Sequence, residues 1–589
     1  MAPSRTPRAE EASSGSPSPE STRGSEAPAE GSGPLRGAVE SSRYAARAGL
    51  AGSVLGTLLL LALRSPVVAP VDDAAITFRF ARNWAEWGVP AFNSFELEGG
   101  AVEGFSNTLW CGLLALAGLV GGVESIPAHA RLFELGSAVL TLFVVGIGLA
   151  RRAGLAPVGS ALAPLLVATA APFVAWSGGG METALFTLLG AALLHAVLGT
   201  RARFSAALLA AGVVLVRAEG IAWAIGFALA ARVARGRATE PAAWAAAGAL
   251  AAFVLQLAWR QVVFGEWLPN TVAAKSGSPA GETALRGARY LASWAAVTVT
   301  PLLALLAAVP AARASGPAPR RAARAALVLL SGGVLYNLFV GGDWMPFFRF
   351  LSPLTPTLAL VLAVALDRVA RRGVPVALGL GAAACVLQAV PLYDVHAAPA
   401  GVRKPLYFRA FLREGYATER ARLERAKQNR AYFSTLGAAL DEGLEPGSIL
   451  AFGAIGWTGW HAPELDFLDR NGLVTPEVAL RSGTGDGRGT AGHEKRVPHA
   501  WFLDRGVPEA RYLFATWVPG TVGAPGGPTL GAVANGLRTR GVTAQPNERE
   551  LFERTVARAI PIARGAAAGR TLVVLERASA GDAEAFWPR

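Results

Sequence analysis

The sequence predicts a polytopic α-helical membrane protein with a C-terminal soluble α/β domain. Of its 589 residues, 52% are hydrophobic and only 16% are charged, against roughly 25% charged residues in a typical soluble protein. Apolar runs follow one another over most of the chain, and the composition changes to shorter, β-like runs after about residue 398. Together these observations exclude an ordinary cytosolic enzyme and a disordered chain.

The net charge does not predict a nucleic-acid partner. Lys and Arg total 55 and Asp and Glu total 42, which gives a formal net charge of +13. The basic residues are almost all Arg, in a chain crowded with Ala and Gly, which indicates a compositional bias rather than a functional basic surface. The two Cys residues have neither a CxxC spacing nor a Cys/His spacing, so no disulfide scaffold or zinc site is predicted.

The chain divides into three predicted regions. Residues 1–46 are rich in Ser, Pro, Glu and Gly without apolar periodicity, which predicts a disordered cytoplasmic tail. Residues 47–398 form the predicted transmembrane domain, and residues 399–589 form a predicted extracytoplasmic α/β domain of normal size. Within the last region, charges at helical spacing over Lys404–Leu440 predict a helix. Its β-like runs are Ile449–Phe452, Tyr512–Ala515 and Thr571–Leu575.

The apolar runs predict about eleven membrane spans, although several are shorter than the roughly 20 residues that cross a bilayer. One further run, Thr108–Val120, is interpreted as an interfacial helix that lies on the membrane. With that choice every second loop is rich in Arg, so the positive-inside rule predicts a cytoplasmic N-terminus and an outer C-terminal domain. The predicted spans are Ala48–Leu63, Leu132–Ala150, Val158–Trp176, Ala184–Leu198, Ser205–Val216, Ile221–Val233, Ala243–Ala258, Leu291–Ala311, Ala325–Val340, Leu351–Leu366 and Val374–Val390.

The first outer loop contains two adjacent carboxylates, Asp72 and Asp73, at the start of a predicted helix. Adjacent carboxylates beside a bilayer can act as a general base on a sugar hydroxyl or hold a divalent cation near a phosphate. A helix cap is the structural alternative, because Asp favours that position. Helical spacing separates an apolar stripe from a polar one, and we expect the polar stripe to face a cavity. The polar stripe consists of Asp72, Arg79, Asn83 and Glu86.

Six further segments place polar residues in outer loops or in the C-terminal domain. Each also has a structural interpretation: a polar turn or helix cap, favourable contact with a helix dipole, a buried ion pair, a solvated loop charge, or an Arg that snorkels toward headgroups. From the residues alone, both interpretations stay open. The residues are Glu103 and Asn107, Glu182, Arg217 and Glu219, Asn270 and Lys275, Asp343 and Arg349, and His493 and Lys495.

The ordered set of these segments resembles the bacterial GT-C glycosyltransferases, which are multi-span enzymes that use polyprenyl-phosphate-linked sugars. Within that family the set is similar to the mycobacterial terminal β-(1→2)-arabinofuranosyltransferases. The resemblance extends from about Ala48 to Arg496. Its segments are Asp72–Asn83, Glu103–Trp110, Gly179–Thr183, Arg217–Gly220, Leu268–Thr271, Lys275–Gly277, Gly341–Met345 with Arg349, and Gly492–Arg496.

The resemblance implies roles for these residues. Asp72 would activate the acceptor hydroxyl as the base, and Asp73 would orient that hydroxyl or bind a cation. The C-terminal domain would bind or position the acceptor. Cationic side chains would contact the donor phosphate, namely Arg79, Arg82, Lys275 and Arg349. The implied substrate-binding residues are Asn83, Glu103, Asn107, Glu182, Arg217, Glu219, Asn270, Asp343, His493 and Lys495.

The implied function is transfer of a sugar, with arabinofuranose as the first candidate, from a polyprenyl-phosphate donor at the outer face of a bacterial inner membrane. The implied partners are that donor, a cell-envelope glycan or lipid acceptor, and the lipid bilayer. A divalent cation is the one cofactor left open. The alternative is a transporter or flippase of lipid-linked sugars, which would not need paired Asp residues or a large outer domain. A single cavity containing Asp72, Arg217, Lys275 and Arg349 would favour the enzyme.

Overall fold

The described residues up to about residue 398 are mostly helical. We describe a computed structural model over residues 33–65, 70–237, 239–409, 415–481, 495–504, 510–525, 527–544 and 549–587. Its first helices are α1 (Gly33–Arg64), α2 (Asp72–Trp87), α3 (Glu96–Gly99), α4 (Thr108–Gly121), α5 (Ile126–Phe143), α6 (Ala150–Ala153), α7 (Pro157–Ala168), α8 (Ala171–Ala175) and α9 (Thr183–Val197). There follow α10 (Arg203–Val216), α11 (Gly220–Arg235), α12 (Glu240–Phe264), α13 (Asn270–Ala274), α14 (Ala280–Thr298), α15 (Thr300–Ala312), α16 (Pro317–Val340), α17 (Thr355–Ala370) and α18 (Val374–Ala389).

Six helical stretches of the described residues are long and apolar enough to cross a membrane. A seventh span results if α14 and α15, which meet at an angle of 88°, cross as one broken unit. These stretches confirm a multi-pass membrane protein. They are Glu40–Arg64, Val123–Ala153, Glu240–Phe264, Pro317–Val340, Arg349–Ala370 and Val374–Tyr393.

The predicted apolar runs all lie on helices, but the number of spans stays a prediction. Four of the eleven runs lie on the helices α7, α9, α10 and α11, which have only 12 to 16 residues each. At a rise of 1.5 Å per residue, helices of that length are shorter than the hydrocarbon core of a typical bilayer. Hydropathy therefore located the helices without establishing which of them cross the membrane.

The first helix begins before the predicted end of the N-terminal tail. The disordered tail was predicted over residues 1–46, of which residues 1–32 lie outside the described residues. The remaining part, residues 33–46, is helical, because α1 begins at Gly33. Hydropathy marks where a helix enters apolar surroundings and not where its backbone hydrogen bonding starts, so a polar extension of a membrane helix is missed.

The stretch that begins at Arg349 is the central span of the membrane domain. About 89% of its most apolar window is buried within the protein, against 28% to 44% for the other five stretches. It begins as a 3₁₀ helix, Arg349–Leu354, and continues as α17. Its first residue, Arg349, is likewise buried within the protein rather than exposed at the lipid-facing surface.

The C-terminal region contains a five-stranded mixed sheet, which confirms the predicted α/β domain. The strand order is β2-β1-β3-β5-β4, with parallel pairing of β1 to both β2 and β3, and antiparallel pairing of β5 to β3 and β4. The boundary predicted at residue 398 stays a prediction. In order, the elements are α19 (Ala400–Leu406), α20 (Glu419–Gly443), β1 (Ile449–Phe452), α21 (Ile455–Trp460), β2 (Asp466–Asp469), α22 (Pro476–Ala479), β3 (Tyr512–Pro519), α23 (Leu530–Ala544), α24 (Arg549–Glu553), β4 (Thr555–Ile562), β5 (Arg570–Arg577) and α25 (Ala580–Phe586).

Two of the five strands escaped prediction from the sequence. The strand β2 has only four residues and an Asp at each end, so it lacks a β-like composition. The strand β4 contains Pro561, which argues against a central strand. Its position at the edge of the sheet, where it pairs only with β5 among the described strands, explains how the proline is accommodated.

Candidate functional site

A cavity of about 1110 Å³ lies where α2, α13, α14, α16 and the start of the central span meet. Its wall also includes Leu473 from the C-terminal domain. Among the described residues, four carboxylates and four cationic side chains line it, so the formal charges balance. They are Asp73, Glu182, Glu219 and Asp343, and Arg217, Lys275, Arg286 and Arg349.

Asp73 presents its carboxylate to this cavity from the first turn of α2. Within the described ranges the carboxylate makes no hydrogen bond and no ion pair. Burial raises the pKa of Asp73 above its ordinary value, while the charges of Arg349 and Lys275 act against that shift. Asp73 is thus an acid without a partner among the residues described, and its increased affinity for a proton suits a general base.

Asp72 does not line the cavity, although the sequence resemblance implies that it is the base. Its Oδ1 accepts a hydrogen bond of 2.9 Å from the backbone N–H of Trp457, in the first turn of α21. Close contact is needed there, because a Cβ on Gly456 would lie 2.0 Å from the Asp72 carbonyl oxygen. Burial raises the pKa of Asp72 to about 6. Successive side chains on a helix point about 100° apart, so Asp72 caps a helix of the C-terminal domain while Asp73 faces the cavity.

The polar stripe of α2 also faces the C-terminal domain rather than the cavity. Arg79 is buried and donates to the carbonyl oxygens of Gly459 (2.8 Å), Ala462 (3.1 Å) and Leu465 (2.6 Å). Arg82 donates to the Trp460 carbonyl at 3.2 Å and pairs with Glu124. Backbone carbonyls and a carboxylate thus occupy donors of both arginines, and neither arginine lines the cavity, so their phosphate contacts stay a prediction.

Three other predicted substrate-binding residues hold backbone or a buried partner instead. Asn83 donates to the carbonyl oxygens of Ala91 and Phe92 at 3.0 and 3.2 Å. Asn270 donates to those of Gly472 and Leu473 at 2.7 and 2.9 Å, which fastens the C-terminal domain to α13. The third, Glu103, forms a buried ion pair of 2.7 Å with Arg260 of α12. None of these three side chains lines the cavity.

A second group of predicted residues forms a connected network in the cavity wall. The Arg217 guanidinium bonds Glu182 at 2.8 Å and Glu219 at 2.5 Å. Glu182 also accepts from the Asn107 side-chain amide at 2.9 Å. Burial alone would raise the pKa of Glu219, but the charge of Arg217 lowers it. This network fixes the orientation of its carboxylates toward one side of the cavity.

The predicted pair of Asp343 and Arg349 lies in the same cavity. Arg349 donates two hydrogen bonds to the Asp343 carboxylate, at 2.7 and 3.2 Å, in the bidentate geometry typical of Arg and carboxylates. A third contact of 3.0 Å joins Arg349 to the sulfur of Met181. The centroid of the Phe350 ring lies 5.1 Å from the guanidinium carbons of both Arg217 and Arg349, so both cations contact this ring.

Lys275 differs from Arg217 and Arg349, because among the described residues it has no carboxylate partner. It follows α13 at the exposed rim of the cavity, and its ammonium makes no hydrogen bond or ion pair with a described residue. Its charge acts on Asp73. A cation without a resident counter-ion at the mouth of a cavity is available to an anionic ligand.

The remaining predicted residues lie elsewhere. His493 lies outside the described residues. Lys495 is buried away from the cavity, where its ammonium donates to the carbonyl oxygen of Arg481. A cation held by Asp72 and Asp73 stays a prediction: the Asp72 carboxylate accepts a hydrogen bond from Trp457, and Asp73 faces the cavity. Within the described ranges no group of three or more His, Cys, Asp or Glu side chains is arranged to hold a metal ion.

Sequence analysis did not select Glu134, a buried acid that supports the site. Glu134, in α5, accepts hydrogen bonds from the backbone N–H groups of Gly180 and Met181 at 2.8 and 3.0 Å, and so holds the loop that leads to Glu182. Gly180 has φ +85°, and a Cβ there would lie 2.7 Å from that of Ala74, next to Asp73. A carboxylate inside an apolar run is costly, and that cost was the signal for Glu134 in the sequence.

Comparison with known protein families and with curated proteins finds no match to this sequence. Among solved structures, the chain is similar to ArnT from Cupriavidus metallidurans, in a crystal structure bound to undecaprenyl phosphate. The two chains are 12% identical, the alignment covers 90% of this chain and 98% of ArnT, and the TM-score is 0.47. The site is therefore interpreted from its own geometry.

Proposed function

We propose that this protein is a membrane glycosyltransferase that moves a sugar from a polyprenyl-phosphate donor to a cell-envelope glycan or lipid acceptor. One observation carries the proposal: the carboxylate of Asp73, which has no partner among the described residues, faces the same cavity as Lys275 and Arg349. Transfer from a phosphate leaving group needs a base that deprotonates the acceptor hydroxyl and cations that stabilise the leaving phosphate, and this cavity has both kinds of group.

Apolar residues at one side of the cavity suit the lipid part of such a donor. Leu335, Leu338 and Phe339 of α16 line the cavity. Leu335 and Phe339 are also 65% and 84% exposed on the outer side of the helix bundle. A polyprenyl chain that lies along this helix would remain in the bilayer while its phosphate reaches the charged residues.

The phosphate of the donor fits the cationic rim and wall. Lys275 offers an ammonium that has no partner in the described part of the chain, and Arg349 offers a guanidinium whose direction is fixed by Asp343. Negative charge increases on the phosphate as the sugar leaves it, so fixed cations stabilise the transition state more than the bound donor. Arg217 contributes less, because two carboxylates already compensate its charge.

The proposed transfer is a single displacement at the anomeric carbon. Asp73 accepts the proton of the acceptor hydroxyl while that oxygen forms a bond to C1 of the sugar. The bond between C1 and the phosphate oxygen breaks, and its electron pair leaves with the polyprenyl phosphate. The raised pKa of Asp73 makes it a stronger base than an ordinary Asp, provided that the pH lies high enough for it to be ionised.

The sugar, the acceptor side and the orientation belong to the same proposal. Arabinofuranose is the first donor sugar to test, because of the sequence resemblance. Leu473 brings the C-terminal domain to the cavity, so an acceptor held by that domain would reach Asp73.

The orientation in the membrane is supported by a cluster of arginines around Arg235. Burial and the charges of Arg321, Arg152 and Arg237 lower the pKa of Arg235. These arginines come from different Arg-rich loops, and their proximity supports one cytoplasmic end.

The test is sugar transfer by the purified full chain in nanodiscs, with polyprenyl-phosphate arabinofuranose, mannose, glucose and galactose and a mixture of glycan acceptors. We expect release of polyprenyl phosphate and a glycosylated acceptor with one donor. In a parallel assay, the same chain in liposomes is given a fluorescent lipid-linked sugar. Movement of that lipid between leaflets without transfer from any donor would contradict the proposal and favour a flippase.

A further inference from the structure

The loop that carries Asp343 and Arg349 has an unusual backbone. It joins α16 to the central span, and Phe347 and Phe348 within it both have φ +54°. This left-handed conformation is unfavourable for residues with a Cβ, and it is rare for bulky side chains. Two such residues in succession, directly before Arg349, persist only where the surrounding structure determines the backbone.

A carboxylate from the C-terminal region holds this turn. Glu419, in the first turn of α20, accepts a hydrogen bond of 2.6 Å from the backbone N–H of Phe347. Glu419 is only 3% exposed, and Arg422 bonds both of its carboxylate oxygens, at 2.9 and 3.0 Å. The buried acid is thus fully engaged, and one of its bonds fixes the backbone of the left-handed turn.

A second contact holds the same loop three residues earlier, at Trp344. Arg422 and Arg409 both donate to the carbonyl oxygen of Trp344, the latter at 3.2 Å. The loop is therefore attached at residues 344 and 347, between Asp343 and Arg349. The Phe348 ring packs against Tyr290 at a centroid distance of 5.4 Å, so its side chain is also enclosed.

We propose that Glu419 is a positioning residue that directs Arg349 into the cavity by holding the left-handed turn at Phe347 and Phe348. Glu419 does not line the cavity, so it acts through the backbone and not on a ligand. The effect of Glu419 on the loop is independent of the proposed function, whereas its effect on binding of the donor phosphate rests on that function. The C-terminal region thereby contributes to the geometry of the cavity and does more than bind an acceptor.

The test compares full-length wild type with Glu419→Ala, Glu419→Gln and the matched control Glu424→Ala in nanodiscs. Glu424 lies on the same helix and is partly exposed, and it pairs with Lys427 and Arg420 rather than with the loop. The first readout is hydrogen–deuterium exchange of peptides covering residues 341–349. The second readout is the Kd for a polyprenyl phosphate without sugar.

We expect exchange in the loop to be about tenfold faster in Glu419→Ala, because a bond to a charged acceptor is lost. Glu419→Gln keeps an oxygen acceptor and should lie between that variant and wild type, while Glu424→Ala should match wild type. Peptides from β5 should stay protected in all variants, which separates a local effect from unfolding. If Glu419→Ala fails to fold, the test is whether hydrogen exchange in the loop is faster in Glu419→Gln than in wild type.

The Kd for polyprenyl phosphate should rise about tenfold in Glu419→Ala, with partial recovery in Glu419→Gln. Wild-type exchange rates in the loop of both Glu419 variants would overturn the positioning role. Accelerated exchange together with no binding by wild type would leave the positioning role standing and would reject the proposed donor instead. Accelerated exchange with an unchanged Kd would overturn the link between this loop and the phosphate.

Discussion

Asp72 and Asp73 are adjacent, chemically identical residues with different surroundings. Asp72 accepts a hydrogen bond from Trp457 and joins α2 to the C-terminal domain. Asp73 has no bonded partner among the described residues and lines the cavity with Lys275 and Arg349. A turn of about 100° along one helix therefore separates a structural carboxylate from a proposed catalytic one. The same helix holds the domain and the cavity together.

The largest expected effect concerns the domain-facing side of α2. Arg79→Met removes the hydrogen bonds to three carbonyl oxygens of the C-terminal domain and leaves those acceptors buried. We expect a loss of about 4 kcal/mol in the free energy of unfolding. Thermal unfolding in detergent and limited proteolysis between the membrane and C-terminal regions measure it.

Arg549→Met is the matched control, because the Arg549 side chain is 76% exposed. It should change stability by less than about 0.5 kcal/mol. Equal stability of Arg79→Met and wild type would show that other contacts hold the C-terminal domain. It would contradict the claim that one side of α2 holds this domain while the other side lines the cavity.

The next effect concerns the cavity side. Lys275→Ala should lower kcat/KM for the polyprenyl-phosphate sugar by about 100-fold, because the one cavity cation without a described partner is lost. Lys275→Arg should retain part of the activity. Lys427→Ala, on the surface of α20, is the control for loss of a Lys charge. Transfer by Lys275→Ala at the wild-type rate would remove this residue from the phosphate site.

The smallest effect is a pH dependence that separates the two carboxylates. Asp72 has a pKa of about 6 in the folded protein against an ordinary value of 3.8. A raised pKa means that the folded state binds the proton more tightly, so its stabilising contribution is complete below pH 3.8 and is lost as the pH rises through 6. Relative to Asp72→Asn, wild type should lose about 2 kcal/mol of stability over that interval. A constant difference between the two proteins would contradict the assigned environment.

The sequence pattern predicted the fold class and much of the cavity. The helices and the cavity residues were predicted for two different physical reasons. Apolar runs predict helices because bilayer and core both require them. Charged residues near membrane helices are costly, and that cost pointed to Arg217, Glu219, Asp343 and Arg349, all of which line one cavity. The left-handed turn before Arg349 has no such signal, since nothing in two consecutive Phe residues predicts it.

The errors on α2 have a common origin. Arg79 and Asp72 each bond backbone groups of residues about 380 positions further along the chain. No local periodicity reports which face of a helix will meet a distant domain, so the polar stripe was assigned to the cavity. Asp73 was distinguishable from Asp72 only once α21 was in place beside them. The tertiary arrangement, rather than residue type, therefore decides which acid is available for chemistry.

The most direct test of the central claim is sugar transfer by the matched pair Asp72→Asn and Asp73→Asn in nanodiscs, with the donor that wild type uses. Both variants replace one carboxylate with an amide of the same size, on the same helix. Asp73→Asn should lower kcat by about 1000-fold, because the base is lost, while Asp72→Asn should stay within about threefold of wild type. Loss of transfer in Asp72→Asn with activity retained in Asp73→Asn would contradict the account.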